Sequence, residues 1–366
     1  MPTRKSEAIW IESRQRWQIK VQMDGTRRTF TSSKPGRKGK IAAEQQADLW
    51  LINNTIGETT KCSVLLDRYF DHVKQTTSQG NWRPISMHIE AHIRPVLGEK
   101  KISQVNENML QSVIDRAYQQ GLAARTLRNI KSTLMAWIKF CRKERVTTLH
   151  PEDLSIPNGA KKSSRTVADP QELKTLFTSD ETTWRGGLRP DWYIHAYRLA
   201  VLTGLRPGEL MGLRWVDVRK NRISIRQSLN DYKEFTPGKN ENAQRDIVLS
   251  GLAADEINQQ REMLKQAGVI SVYVFPRPNA ECTTQDTYRS FWKRYREHNG
   301  IKPITPYEMR HTFVSVNKEM PEGLKKLIVG HSEDMDTEGI YGHEMEGDRQ
   351  AAAEYSDAAF RKILGL

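Results

Sequence analysis

The sequence predicts a multidomain protein, mainly α with small β-sheets. Its 366 residues suffice for two or three domains at roughly 100–200 residues each. Residues 16–23 alternate strictly, with Trp17, Ile19, Val21 and Met23 on one side and Arg16, Gln18, Lys20 and Gln22 on the other. They stop at Asp24-Gly25, a hairpin turn signal. Beyond residue 60, apolar residues recur mostly at helical spacing, with short strand-like runs only near 222–227 and 244–249.

Residues 8–11 read as a short strand, and residues 26–32, carrying Arg27, Arg28 and Phe30, return the hairpin. A basic loop, residues 34–40, leads into a helix over 41–52 whose apolar stripe is Ile41, Leu49 and Ile52 with Ala42 and Ala43. Residues 1–55 are therefore expected to form a three-stranded sheet packed on one helix. A small basic sheet of this kind fits a DNA major groove, which admits a two-stranded ribbon. Arg16, Lys20, Arg27, Arg28 and Lys38 are the candidate contacts.

Residues 53–60 are polar and read as a linker. A helical domain over 60–155 follows. Val64, Leu65, Tyr69, Phe70 and Val73 mark one helix, and Ile89, Ile93, Val96 and Leu97 another, which Pro95 ends or kinks. Residues 109–119 and 126–141 give two more. The last has Leu127, Ile130, Leu134, Trp137, Ile138 and Cys141 on one side, with Arg125, Arg128 and Lys131 available to DNA. Residues 147–165 read as a second linker, whose basic end, Lys161-Lys162, suits crossing a phosphate backbone.

Residues 165–366 make the largest unit. Asp169-Pro170-Gln171-Glu172 is a helix start, with Asp as N-cap, Pro at the first helical position and Glu three residues after the cap. A helix over 193–202 ends at Gly204, and helices are expected at 252–266, 284–298, 307–316, 321–329 and 351–364.

Composition narrows the function. No run of about 18 apolar residues exists, so no transmembrane helix is expected, and the N-terminus lacks the apolar stretch of a secretory signal. Cys62, Cys141 and Cys282 match neither a metal pattern nor a disulfide framework, which suits a reducing cytoplasm. No metal ligand set and no cofactor motif is visible. The net charge is +13, but residues 1–331 carry +19 and residues 332–357 carry −8. The basic part calls for a polyanion, most simply nucleic acid. The acidic block suits docking on a basic protein surface.

Four segments concentrate residues with chemistry. Thr203-Gly-Leu-Arg206-Pro-Gly-Glu209-Leu places an Arg at a helix-to-helix turn. Pro237-Gly-Lys239, continuing to Arg245-Asp-Ile-Val-Leu, places a Lys on a hairpin. Thr305-Pro-Tyr307-Glu-Met-Arg310-His311 puts Arg and His on a helix, and Val329-Gly-His331 precedes Tyr341-Gly-His343. Separately, each has a plain structural reading: an Arg–Glu pair, a core Tyr, a helix cap. In this order and spacing they resemble the tyrosine recombinase (phage integrase) family over about 165–345, and the tail resembles integrases of conjugative transposons. The two upstream units match, in kind and order, that family's arm-binding and core-binding domains, so residues 165–366 would be the catalytic domain with a C-terminal exchange helix.

The resemblance implies a metal-free transesterification on DNA. Arg206 and Arg310 would hold the non-bridging oxygens of the scissile phosphate with paired hydrogen bonds. Tyr341 would be the nucleophile, forming a 3′-phosphotyrosine. Lys239 would protonate the leaving 5′-oxygen, and His331 would donate to the phosphate. Glu209 would orient an arginine, and His311 would pack between helices. The family usually has His where this chain has Tyr307. A phenol with a pKa near 10 is a poor base at pH 7 but can hydrogen-bond phosphate. The proton of Tyr341 is then left to His331, to solvent or to the phosphate itself.

The resemblance further implies site-specific recombination through a Holliday junction, which integrates and excises a mobile element. The partners would be double-stranded DNA at element-end core and arm sites and at the target, in a homotetramer, with an excision factor and a host DNA-bending protein as accessories. The location would be cytoplasmic, with the bacterial nucleoid. The acidic segment and last helix would dock on a neighbouring protomer. Two rivals share part of the pattern: a type IB topoisomerase and a non-catalytic DNA-binding regulator with the same fold.

Overall fold

The computed structural model describes residues 6–23, 26–54, 57–162, 165–237, 244–330 and 347–366. The chain divides into two compact units, one ending at Ser163 and the other beginning at Ser164.

The first unit opens with an antiparallel meander, β1 (Ile9–Ile11), β2 (Arg16–Met23) and β3 (Thr26–Ser32), followed by α1 (Gly36–Asn54). The register pairs Trp10 with Trp17, Ile19 with Phe30, Lys20 with Thr29 and Gln22 with Arg27. Side chains alternate across a sheet, so the Ile19 face packs on α1 and the Lys20 face does not. Two expectations for α1 fail. Most of the basic loop is already helix, and the buried stripe is not Ile41 and Leu49, which are 41% and 59% exposed. Of the expected stripe Ala43 is buried, and Ala47 and Leu51 continue it one turn apart, against Ile19 and Val21. Gly39 extends this stripe, where an added Cβ would stand 2.9 Å from Trp17 Cδ1. Small residues let the helix approach the strands, and Trp17, Phe30 and Trp50 fill the margins. The side chain of Ile52 lies outside the described residues.

A separate core is built by α2 (Cys62–Thr76), α3 (Gln79–His88), α4 (Arg94–Leu97), α5 (Glu107–Gln119) and α6 (Ala124–Lys143). Pro95 neither stops the helix nor breaks it sharply. Residues Ile89–Ile93 widen into a π turn that joins α3 to α4, which makes room for a proline ring that would meet the carbonyl four residues back. Residues 147–162, expected as a linker, are strapped to the helices. Glu107 Oε1 accepts from the backbone N–H groups of Glu152 and Asp153 at 2.7 and 2.6 Å, and Gln111 bonds both the N–H and the C=O of Ser155. Leu154 and Ala160 are buried in the helical core.

The second unit contains α7 (Pro170–Thr178), the hairpin β4 (Glu181–Trp184) and β5 (Gly187–Pro190), α8 (Ile194–Thr203) and α9 (Pro207–Met211). There follow β6 (Val218–Arg219), β7 (Arg222–Ile225), β8 (Ser228–Leu229), β9 (Phe235–Thr236) and β10 (Arg245–Val248). The unit closes with α10 (Gly251–Gln266), α11 (Gln285–His298), α12 (Pro306–Val316), α13 (Glu322–Val329) and α14 (Asp348–Leu364). The expected capping box is present: Asp169 accepts from Glu172 N at 2.9 Å, and Glu172 accepts from Asp169 N at 2.8 Å. The sheet order is β10-β7-β6, all antiparallel. The β4–β5 and β8–β9 hairpins were not expected, because each strand is too short to show alternation. Every residue of α8 is buried, enclosed by a core that includes Tyr193, Tyr197, Tyr288, Trp292, Tyr295 and Phe313. The last helix, α14, sits on its own chain against α7, α13 and β10, with Ala352 and Phe360 in that core.

Candidate active site

The site is built where the ends of five elements converge. Gly204 closes α8 in the left-handed conformation, φ +63°, and an added Cβ would lie 2.8 Å from Phe313 Cδ1. This turn lets Arg206 cap α9. Glu209, one turn on, accepts from Arg206 N at 3.0 Å through Oε2 and from Arg206 Nη1 at 2.7 Å through Oε1. Glu209 is 3% exposed while Arg206 keeps 28% of its side chain in solvent. The carboxylate is thus the buried anchor and the guanidinium the presented group.

A residue that sequence reasoning passed over completes the anchor. Arg245, first residue of β10, donates from Nη1 and Nη2 to Glu209 Oε1 and Oε2 at 3.1 and 2.9 Å, and from Nε to the Ile328 carbonyl at 2.6 Å. Its signal was available: Arg245 shares the strand face of Ile247, which is buried, so the alternation places a charge facing inward. Burial works against the ionised Glu209, but the hydrogen bonds and charge of Arg245, with the charge of Arg206, outweigh it and hold the pKa below the usual carboxylate value.

Arg310, in α12, is the second buried arginine. It donates from Nη1 to the Gly204 carbonyl at 2.9 Å and from Nη2 to the Val329 carbonyl at 2.6 Å. Burial, then the charges of Arg206 and Arg245, push its pKa down to about 10, with Glu209 opposing. Arg310 still carries its charge at pH 7. Three guanidiniums therefore surround one carboxylate, and the surplus positive charge suits an anion.

Tyr307 lies in the first turn of α12, 48% exposed, with its ring edge-on to His311 at 5.4 Å. Burial first, then the charges of Arg165 and Arg310, lower the His311 pKa from the usual imidazole value. Its contact with Tyr307 lies within α12 itself. Lys239, His331 and Tyr341 lie outside the described residues. Their chain neighbours are placed: α13 ends at Gly330 in the left-handed conformation, φ +64°, with the two preceding carbonyls held by Arg245 and Arg310.

The candidate DNA contacts separate. Arg16, Lys20 and Arg27 share one face of the N-terminal sheet by register, whereas Arg28, paired with Val21, belongs to the other. Lys38 is exposed in the first turns of α1, and Arg125 and Arg128 are exposed on α6. Lys131 is half-buried, with its ammonium on the Leu154 carbonyl of the strap. Lys161 and Lys162 are exposed at the strap's end.

The phage integrase family model matches residues 167–347, which contain the whole constellation. Residues 167–347 are a phage integrase family domain. This tyrosine recombinase is 23% identical over 284 residues to a XerC-like tyrosine recombinase of Caldanaerobacter subterraneus subsp. tengcongensis, covering 69% of the chain and 71% of that protein. Its fold resembles the integrase of transposon Tn1549 in complex with transposon right end DNA. There the identity is 19%, the TM-score 0.63, and the match covers 79% of this chain and 98% of the other. It also resembles the lambda integrase tetramer bound to a Holliday junction, with 18% identity, a TM-score of 0.58 and coverage of 92% and 96%. Among the described residues of the recombinase, no helix is long and apolar enough to cross a membrane.

Proposed function

We propose that this tyrosine recombinase binds double-stranded DNA at element-end core and arm sites. It cleaves one strand per protomer through a 3′-phosphotyrosine and exchanges strands through a Holliday junction as a homotetramer. In doing so it integrates and excises a mobile element of the conjugative-transposon type. The observation that carries this reading is the cluster of Arg206, Arg245 and Arg310 around Glu209, with Arg206 presented to solvent. The relatives solved on a transposon end and on a Holliday junction support it.

The steps balance without a cofactor. The Tyr341 oxygen attacks phosphorus and the bond to the 5′-oxygen breaks, so the phosphodiester energy is kept in the phosphotyrosine. Arg206 and Arg310 stabilise the charge gathering on the non-bridging oxygens. Lys239 gives its proton to the leaving 5′-oxygen. The phenolic proton passes to His331, solvent or the phosphate, since position 307 carries a phenol and not an imidazole. Attack by another strand's 5′-hydroxyl reverses the sequence.

Residues 1–55 would hold arm sites through the Arg16–Lys20–Arg27 face, residues 60–155 the core site, and residues 165–366 the chemistry. An excision factor and a host DNA-bending protein would assist. A suicide DNA substrate, nicked so that the cleaved end diffuses away, tests the chemistry. The chain should form a covalent adduct that Tyr341→Phe abolishes. No adduct from the wild-type chain would leave a DNA-binding regulator, and relaxation of any supercoiled plasmid without paired sites would point to a topoisomerase.

A further inference from the structure

We infer that Arg245 is a positioning residue for strand cleavage, acting through Glu209 to hold Arg206 outward at the phosphate. The inference rests on the function proposed above. Arg245 uses all three guanidinium nitrogens on two elements: a two-pronged fork on Glu209 of α9 and Nε on the carbonyl of Ile328 in α13. It sits at the start of β10, six residues after Lys239 in sequence. One buried side chain therefore ties the strand that follows the Lys239 segment to the Arg206 turn and to the helix end three residues before His331.

The sharing of Glu209 is the central point. Each carboxylate oxygen serves both arginines: Oε1 takes Arg206 Nη1 and Arg245 Nη1, and Oε2 takes Arg206 N and Arg245 Nη2. With Arg245 present, Glu209 spends only one side-chain bond on Arg206, whose other guanidinium donors remain for phosphate. Without Arg245, the buried carboxylate keeps Arg206 as its hydrogen-bonded cation. A buried, uncompensated charge is costly, so Arg206 is drawn inward to make the fork itself. Lysine cannot replace Arg245, since one ammonium cannot reproduce the planar fork together with the Ile328 bond.

The test uses the full-length chain at saturating protein, on a suicide duplex carrying the mapped wild-type cleavage junction. Arg245→Met should slow single-turnover adduct formation ~100-fold, in the range for losing one oriented donor, with DNA affinity within about threefold of wild type. The Glu209→Gln/Arg245→Met pair removes both buried charges and should keep the fold even if Arg245→Met alone does not. Compared with Glu209→Gln alone, the pair should lose about threefold or less, because Arg245 acts through the carboxylate that is already gone. Arg245→Lys should behave like Arg245→Met. An Arg245→Met rate within about threefold of wild type, or an equally large loss in the Glu209→Gln background, would overturn the assignment. A parallel fall in DNA affinity and rate would mark Arg245 as merely structural and also overturn it. Absence of any Tyr341-dependent adduct from the wild-type chain would overturn this inference together with the function beneath it.

Discussion

Arg310 donates to the carbonyl of Val329 at 2.6 Å, and this bond fixes the end of α13 two residues before His331. The other prong reaches the Gly204 carbonyl, two residues before Arg206. One buried guanidinium thus sets the spacing between two motifs that are 125 residues apart in sequence. Its positive charge is kept there against burial and two neighbouring arginines, which marks the site as one that gains when an anion enters.

Arg310→Lys keeps the charge and loses the geometry. A single ammonium cannot bridge carbonyls on two elements while also pairing with phosphate oxygens. Adduct formation on a suicide substrate should fall by ~100-fold or more. Thermal or denaturant unfolding should show a loss on the order of 1–3 kcal/mol, from a buried carbonyl left without its donor. Wild-type adduct rates in this variant would remove Arg310 from the mechanism.

Gly204→Ala addresses the turn that aims Arg206. The backbone there has φ +63°, and a Cβ would meet the Phe313 ring at 2.8 Å. Gly268 has φ +67° with nothing within 4 Å of the added atom. Strain in the left-handed region is common to both and costs roughly 1 kcal/mol or a little more. Only Gly204 adds the clash, so denaturant midpoints should show Gly204→Ala as the more destabilised of the two. Only that variant should also lose cleavage rate. Equal costs would show that Phe313 yields freely.

Asp191 supplies a pH-dependent prediction. It is buried, with Oδ1 accepting from Tyr193 N at 2.9 Å. Burial pushes its pKa up to about 6, against the pull of that N–H, of the Tyr197 hydroxyl and of Arg294 and Arg189. Between 3.8 and about 6 the folded chain holds a proton that the unfolded chain has released. Stability from this group is therefore present below pH 3.8 and is lost as pH rises through about 6. Asp191→Asn removes the titration and can keep the Tyr193 bond. It should stabilise the chain at pH 8 by on the order of 1–3 kcal/mol relative to its effect at pH 4. An identical change in unfolding free energy at both pH values would contradict the shift.

Much of this architecture was legible in the sequence, and the misses share a cause. Asp169-Pro170-Gln171-Glu172 announces a helix start because capping is local chemistry, and it forms as expected. The α1 stripe misled because large apolar residues usually mark a buried face. Here the close approach of helix to sheet selects Gly39, Ala43 and Ala47 and leaves Leu49 outside. Residues 147–162 looked like a linker because their carbonyls and N–H groups are satisfied by Glu107, Gln111 and Lys131, partners more than 20 residues away. Arg206, Glu209 and Arg310 stood out by motif, whereas Arg245 was quoted only within the segment that follows Lys239 and given no role. Only the tertiary fold puts its guanidinium on Glu209 and Ile328.

The N-terminal sheet offers a prediction that separates its two faces. Register puts Lys20 opposite Thr29 and Arg27 opposite Gln22, on the face turned away from α1, and puts Arg28 opposite Val21 on the α1 side. If the outward face lies on DNA, Lys20→Ala and Arg27→Ala should each weaken binding to arm-site DNA. Each should also reduce the slope of log affinity against log salt by about 0.9, the amount for one lost phosphate contact. Arg28→Ala should leave both unchanged, although Arg28, like Arg27, is exposed. Adduct formation on a core-site suicide duplex should be unaffected in all three, because the residues belong to the first unit and the chemistry to the second. Titrations at several salt concentrations decide the matter. Equal losses for Arg27→Ala and Arg28→Ala would mean that DNA meets the edge strand β3 rather than the sheet's outward face.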